Sequence, residues 1–267
     1  MLFSFPGMRS LLAIYGAIYL LVESLDFFNV YTKSKYAACA FLIFIVLSAV
    51  LAIVSRRPIR KISIKLPQKD VVIEVRIGDL FDVTGAIMIS TNTVFESDVA
   101  GGKIDANSLQ GQFTAKYYTG NQNALISAIT AELRKLPSAA PYAMGTVVPI
   151  TTHGKTFYLT AMATLNDKGN AASTPNDVEQ ALDGLWSYVR QAGALQELAV
   201  PLVGTGRGRV RMSRDKMIEL ISESFADAAT EGIFTSKLIV VIRPDDAANF
   251  QINLYEIKDR LRHILRR

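Results

Sequence analysis

The chain contains one cysteine, Cys39, in 267 residues, so it can form no disulfide framework and no cysteine-built zinc site. Its two histidines, His153 and His263, stand far apart in sequence and do not suggest a histidine metal centre. No Ser-His-Asp pattern presents itself, and His153 sits in a turn before Gly154, where it reads as a surface residue. Internal repeats and low-complexity tracts are absent, which excludes a repeat architecture. A domain-wide positive field is missing too. Residues 62–267 carry 22 basic and 22 acidic residues, a balance unlike that of a general nucleic-acid binder. The excess charge lies in residues 1–61, where Arg9, Lys33, Lys35, Arg56, Arg57, Arg60 and Lys61 face only Glu23 and Asp26.

Apolar residues, by contrast, are abundant. Half the chain is hydrophobic, and the mean hydropathy is positive. Leu11–Val22 is apolar and is extended by Phe3, Phe5, Leu25, Phe27 and Phe28, with Glu23 and Asp26 interrupting its far end. Tyr36–Val54 runs 19 residues without a charge. At 1.5 Å per residue that run would span about 28 Å, close to a bilayer's hydrocarbon core. A signal peptide is the alternative for the first segment, but Glu-Ser-Leu-Asp-Phe-Phe after Val22 offers no small-residue cleavage site. A buried core helix is the alternative for the second. The expectation is a two-helix transmembrane hairpin over residues 1–57, with helices at about 8–28 and 36–54. Arg9 and the Arg56–Lys61 cluster then place both termini on the cytoplasmic side of the membrane, as a multi-pass protein. The basic residues Lys258, Arg260, Arg262, Arg266 and Arg267 suit either anionic lipid or a solvated helix face.

Residues 58–69 read as a linker or edge strand, and residues 70–267 as one ligand-binding domain. Strand-like runs occur at Val71–Ile77, Gly85–Thr91, Gly145–Thr151, Thr156–Ala163, Leu198–Val203 and Lys237–Arg243. Helix-like runs occupy Ser108–Tyr118, Asn123–Leu136, Pro175–Gln191, Ser213–Thr230 and Ala247–Leu265. Pro175 after Thr174 suits a helix start, and Gly193 suits a helix end. Strands alternating with helices imply an α/β domain whose mostly parallel or mixed sheet has helices on both faces. Trp186 and Tyr188 fall on a helix and read as packing residues. In such sheets ligands bind beyond the carboxyl ends of the strands.

Three strand-end segments carry the chemistry expected there. Leu198–Val203 runs into Gly204-Thr205-Gly206-Arg207-Gly208 before a helix that Ser213 can cap, with Arg209, Arg211, Arg214 and Lys216 close behind. A glycine turn between strand and helix presents backbone N–H groups to phosphate oxygens; the plainer reading is a tight turn and a solvated basic helix start. Gly78-Asp79-Leu80 ends the first strand, and its carboxylate can accept from an exocyclic amine or simply cap a turn. Ile87–Asn92 is apolar until it ends in Ser90, Thr91 and Asn92, of which Asn92 can bond a sugar hydroxyl or merely end the strand.

Together these segments resemble a macrodomain, the ADP-ribose-binding α/β module, over about Val71–Phe250. Gly78-Asp79-Leu80 looks like the family's Gly-Asp-Ile segment, Ala86–Asn92 is similar to its Ala-Ile-Val-Asn-Ala-Ala-Asn strand, and Val203-Gly204-Thr205-Gly206 looks like its diphosphate loop. The resemblance implies that Asp79 holds the adenine amine, that Leu80 and Asn92 line the pocket, and that Val203, Gly204, Thr205, Gly206 and Arg207 hold the diphosphate. Two departures stand out. Ile89 occupies the place of the strand's first asparagine, and Asn107-Ser108-Leu109-Gln110-Gly111-Gln112-Phe113 replaces the glycine-rich loop beside the distal ribose. Ser108, Leu109, Gln110 and Gly111 therefore join the expected pocket with a remodelled distal end, and binding without hydrolysis is the expectation, with an ADP-ribosyl hydrolase or a passive reader as alternatives.

The full architecture is therefore expected to be a macrodomain-like mixed sheet flanked by helices, preceded by the transmembrane hairpin. It resembles the membrane-anchored macro effectors of bacterial Thoeris anti-phage systems. That resemblance implies a signal of the histidine–ADP-ribose type, made from NAD by a partner TIR-domain enzyme. Binding would drive homo-oligomerisation, to a tetramer or larger, and then membrane disruption and abortive infection. It implies no cofactor, no metal, no catalytic residue and no nucleic-acid partner, with membrane lipid as a further contact.

Overall fold

The computed structural model describes residues 5–28, 30, 37–55, 59–67, 69–166, 169–193, 195–203 and 210–265. The chain divides into two compact units, Met1–Ile59 and Arg60–Arg267.

The first unit consists of α1 (Phe5–Phe27) and α2 (Ala37–Ser55), which pack on each other and bury Ser48 and Ala52. Neither is a membrane span. No helix among the described residues is long and apolar enough to cross a membrane. In α1 the apolar run meets Glu23, Ser24 and Asp26 before it ends. The finding overturns the expected transmembrane hairpin and the multi-pass inner-membrane location with cytoplasmic termini. Lys33, Lys35, Arg56 and Arg57, on which the orientation argument leaned, lie outside the described residues, as do Arg266 and Arg267.

The second unit is a mixed α/β sheet protein. Its strands are β1 (Lys61–Lys65), β2 (Val72–Ile77), β3 (Ala86–Asn92), β4 (Val147–Thr152), β5 (Lys155–Leu165), β6 (Ala171–Ala172), β7 (Leu198–Pro201) and β8 (Lys237–Ile242). They line up as β1-β2-β8-β7-β3-β5-β4, with β6 pairing β5 off this row. The five strands from β2 to β5 in that row are mutually parallel, and the outer strands β1 and β4 are antiparallel to their neighbours. The parallel strands read as unbroken apolar runs, such as Lys237–Ile242, because both faces are covered. β1 instead alternates exposed Lys61, Ser63 and Lys65 with buried Ile62 and Ile64, as befits an edge.

On one face, α3 (Leu109–Tyr117) and α4 (Gln122–Leu133) set Phe113, Leu125 and Ile129 against Ile87, Ile89, Phe157 and Leu159. Elsewhere, α5 (Pro175–Ala192) packs on β5, and α6 (Arg214–Ala228) on β8. Trp186 and Tyr188 pack as expected. Trp186 donates to Ser224 Oγ at 2.8 Å beside Phe225, and Tyr188 meets Tyr158 edge-on. Thr174 and Asp177 close a reciprocal capping box ahead of Pro175, and Gly193 ends α5 at φ 68°. The helix expected over Ala247–Leu265 is two helices, α7 (Pro244–Asn249) and α8 (Leu254–Ile264). Gln251 at φ 50° breaks the helical path, and Asn253 caps the restart by accepting from Tyr255 N–H.

Candidate ligand-binding site

From β3 the chain crosses to the β5 side of the sheet, and from β7 it crosses to the β8 side, so the strand order reverses between β3 and β7. At such a point two neighbouring loops leave the sheet in opposite directions and open a crevice at the carboxyl ends of the strands. A cavity of about 780 Å³ lies there. The ends of β3 (Ser90, Thr91, Asn92), β5 (Met162, Ala163, Leu165), β7 (Pro201, followed by Leu202 and Val203) and β8 (Val241, followed by Arg243) form its floor. Its volume falls within the range of small-molecule sites.

Of the residues expected from the sequence, Leu80, Asn92, Ser108, Leu109, Gln110 and Val203 line this cavity. Asn92 is 3% exposed, and its Oδ1 accepts from Val94 N–H at 3.1 Å and Glu96 N–H at 3.0 Å. The carboxamide oxygen thus shapes the following loop, and the Nδ2 amino group is the end left to donate. Ser108 caps α3: its hydroxyl accepts from Gly111 N–H at 3.1 Å and donates to Asp105 carbonyl oxygen at 2.6 Å. Gln110 is 5% exposed and donates through Nε2 to Glu96 carbonyl oxygen at 2.6 Å, tying α3 to the loop after β3.

Two expected residues do not line the cavity, for reasons visible in their surroundings. Gly111 is a packing glycine, because a Cβ there would stand 2.3 Å from Asp105 carbonyl oxygen and 2.7 Å from Ala106 Cα. Asp79 begins the 3₁₀ turn Leu80–Asp82; its Oδ1 accepts from Phe81 N–H at 2.9 Å, and its Oδ2 stands 3.8 Å from Lys116 Nζ. The ammonium of Lys116 also lies 3.9 Å from Asp82 and over the Phe81 ring. Gly204, Thr205, Gly206 and Arg207, with Gly208 and Arg209, fall outside the described residues.

The cavity also takes in residues that strand-end reasoning had not singled out. Lys103, Asp105 and Asn107 come from the loop after β3, and Arg243 and Asp246 from the start of α7. Asn166, Gly169 and Asn170 come from the β5–β6 turn, where Asn166 Oδ1 accepts from Asn170 N–H at 2.9 Å, and Ser173 follows β6. Arg211 belongs to the basic run noted in the sequence. Lys103, Arg211 and Arg243 set three cations against the two carboxylates Asp105 and Asp246. Glu96 stands just behind Lys103, 3.0 Å away. Burial alone would push its carboxyl up, but Lys103 and the Asp98 and Ser97 amides together hold it below the usual range. Beside Asp79, burial pushes the Tyr117 phenol up, and the charges of Asp79 and Asp82 add to this.

Ile89 is fully buried in the core between β3 and α3, with no polar group to offer the cavity. His153 pairs with Thr152 Oγ1 at 2.9 Å and meets the Tyr117 ring edge-on; it does not line the cavity. Among the described residues no group of His, Cys, Asp and Glu side chains is placed to hold a metal ion.

The sheet order and the cavity at its reversal define an α/β ligand-binding module of the macrodomain kind. A mutant Oceanobacillus iheyensis macrodomain shares this fold at a TM-score of 0.51 and 16% identity, over 78% of this chain and 98% of that one. The O. iheyensis macrodomain with ADP matches at 0.48 and 13% identity, covering 75% and 98% of the two chains. A Trypanosoma brucei macrodomain in complex with ADP-ribose matches at 0.45 and 11%, covering 69% and 71%. The family profile described as "Thoeris protein ThsA, Macro domain" matches residues 73–243, and the chain belongs to that family. No curated protein matches the chain significantly.

Proposed function

We propose that this protein is a receptor for an ADP-ribose-derived signal in Thoeris defence, of the histidine-conjugate type made by a TIR-domain enzyme, and that its response is self-association rather than turnover. The observation that carries the reading is the cavity at the β3/β7 reversal, whose lining mixes apolar and polar groups and includes Lys103, Arg211 and Arg243. Cations in the lining can meet the charge of a diphosphate. In this reading Asn92 donates through Nδ2 to a ribose hydroxyl, and Leu80 and Val203 are apolar walls. Ser108, Leu109 and Gln110 border the distal group, with Gly111 supporting them from behind. Residues 204–207 take the diphosphate, and Asp79 Oδ2 takes the adenine amine, displacing its long contact to Lys116. The buried Ile89 supports binding over hydrolysis, because the strand end has an alkyl group where catalytic members of the resembled family have a carboxamide.

Calorimetry of the full-length protein with ADP-ribose and its histidine conjugate tests this, with chromatography of the recovered ligand. Saturable binding with intact ligand is expected. Asp79→Asn keeps an oxygen for the Phe81 cap but loses the charge-assisted bond to the amine, and should weaken binding by about 1.5–3 kcal/mol. Unchanged affinity in that variant removes Asp79 from the adenine site, and cleaved ligand establishes the hydrolase instead.

A further inference from the structure

Thr91 is 5% exposed and lines the cavity, yet its Oγ1 is buried with no hydrogen-bond partner. Of the four described buried side-chain atoms in that state, the others belong to Ser48, Arg190 and Arg214, none of which borders the cavity. A buried hydroxyl without a partner is costly, and such a group needs a reason to persist. The pairing of β3 with β5 also slips between Thr91 and Asn92, the kind of irregularity that re-aims a side chain at a strand end.

Across the same cavity wall α3 begins. Ser108, Leu109 and Gln110 all line the cavity, and the nine-residue helix starts with Leu109. The Ser108 hydroxyl serves Gly111 N–H, whereas the Leu109 and Gln110 amides precede any intrahelical acceptor. A helix start favours negative charge. Thr91 lines the same cavity, so its hydroxyl can add a donor to those amides for one oxygen anion.

We infer that Thr91 is a ligand-contacting, specificity-determining residue whose hydroxyl joins the first-turn amides of α3 in holding one oxyanion of the ligand, a phosphate or carboxylate oxygen. The inference rests on the nucleotide reading above for its ligand. The hydroxyl is buried, and Thr91 lines the cavity; in this inference rotation about χ1 turns the hydroxyl to the ligand, whose oxyanion is the acceptor it lacks. The donor keeps its proton, and no bond is made or broken.

The test pairs Thr91→Val, which keeps the shape and deletes the hydroxyl, with Thr91→Ser, which keeps the hydroxyl. Both full-length variants are melted without ligand and titrated with adenosine, ADP-ribose and its histidine conjugate. Thr91→Val should melt at or above the wild-type temperature, because it removes an unsatisfied buried hydroxyl. It should bind at least one anionic ligand about tenfold or more weakly. Adenosine, which has no oxyanion, should be unaffected, and Thr91→Ser should restore most of the loss. Equal losses with both anions assign a phosphate oxygen; a loss confined to the conjugate assigns its carboxylate. Unchanged affinity for every anionic ligand in Thr91→Val overturns the inference while leaving the nucleotide reading intact. Equal weakening of adenosine, or a melting temperature lowered by several degrees, also overturns it and makes Thr91 a structural residue. A wild-type protein that binds none of the three ligands removes the nucleotide reading and this inference with it.

Discussion

Asn92 commits its carboxamide oxygen to the Val94 and Glu96 amides, which leaves its two ends with different tasks. This separation allows a substitution that addresses one end only. In Asn92→Asp an oxygen still accepts both loop amides, but the donor is gone and a negative charge faces the ligand's own. The expected outcome is a melting temperature within a few degrees of wild type and affinity for ADP-ribose reduced at least tenfold, read by melting and calorimetry on the same preparation. Loss of the fold along with binding would show that Asn92 serves only its loop. The same side chain thus supports both the plain strand-ending reading and the ligand-binding one.

α3 is the element that joins the two ends of the expected pocket. Its first turn borders the cavity, and Lys116 near its other end reaches the carboxylates of the Leu80–Asp82 turn. Its placement depends on Gly111, whose missing Cβ lets the helix press against the backbone of Asp105 and Ala106. Gly111→Ala would have to move that backbone, which no side-chain rotation can relieve. Overpacking of this kind costs about 1–3 kcal/mol. Chemical denaturation should show that loss, and the displaced Ser108–Gln110 turn should weaken the histidine conjugate more than adenosine. Unchanged stability would mean that the loop after β3 gives way easily and that α3 is not held by this contact.

For the molecule as a whole, binding can act as a signal only if it shifts an equilibrium between states. A ligand that moves self-association from 1:99 to 99:1 must bind the assembled form about 10⁴-fold more tightly, roughly 5.5 kcal/mol. A wall such as Ser108–Tyr118, if it contacts both ligand and a neighbouring copy, is the candidate source of that difference. Mass measurement of the full-length protein should therefore show a tetramer or larger particle with ADP-ribose or its conjugate and a smaller one without. A particle of constant size, with ligand bound, would defeat assembly as the response. No helix among the described residues is long and apolar enough to cross a bilayer.

Periodicity and local turn chemistry are properties of neighbouring residues. They were enough to read the apolar runs of the parallel strands, the Thr174–Pro175 start and Gly193 end of α5, and the polar strand end at Ser90–Asn92. The resemblance to the macrodomain pattern, not periodicity, singled out Asn92 and Ser108–Gln110, which line one cavity. Local patterns could not show how side chains share their bonding capacity across the fold. The Asp79 turn cap, a bond two residues along, was legible, but its approach to Lys116 exists only once α3 is in place, and the close packing of Gly111 on Asp105 and Ala106 needed the loop's own path. In the sequence Lys103 and Arg243 had no marked role, and Arg211 only its place in the basic run, before the sheet brought three distant segments to one cavity. The apolar content of α1 and α2 was plain in the sequence, and both runs fold as helices. Composition states how much apolar surface a segment has; the reversal of strand order between β3 and β7 decides where a cavity opens, because only there do neighbouring loops part.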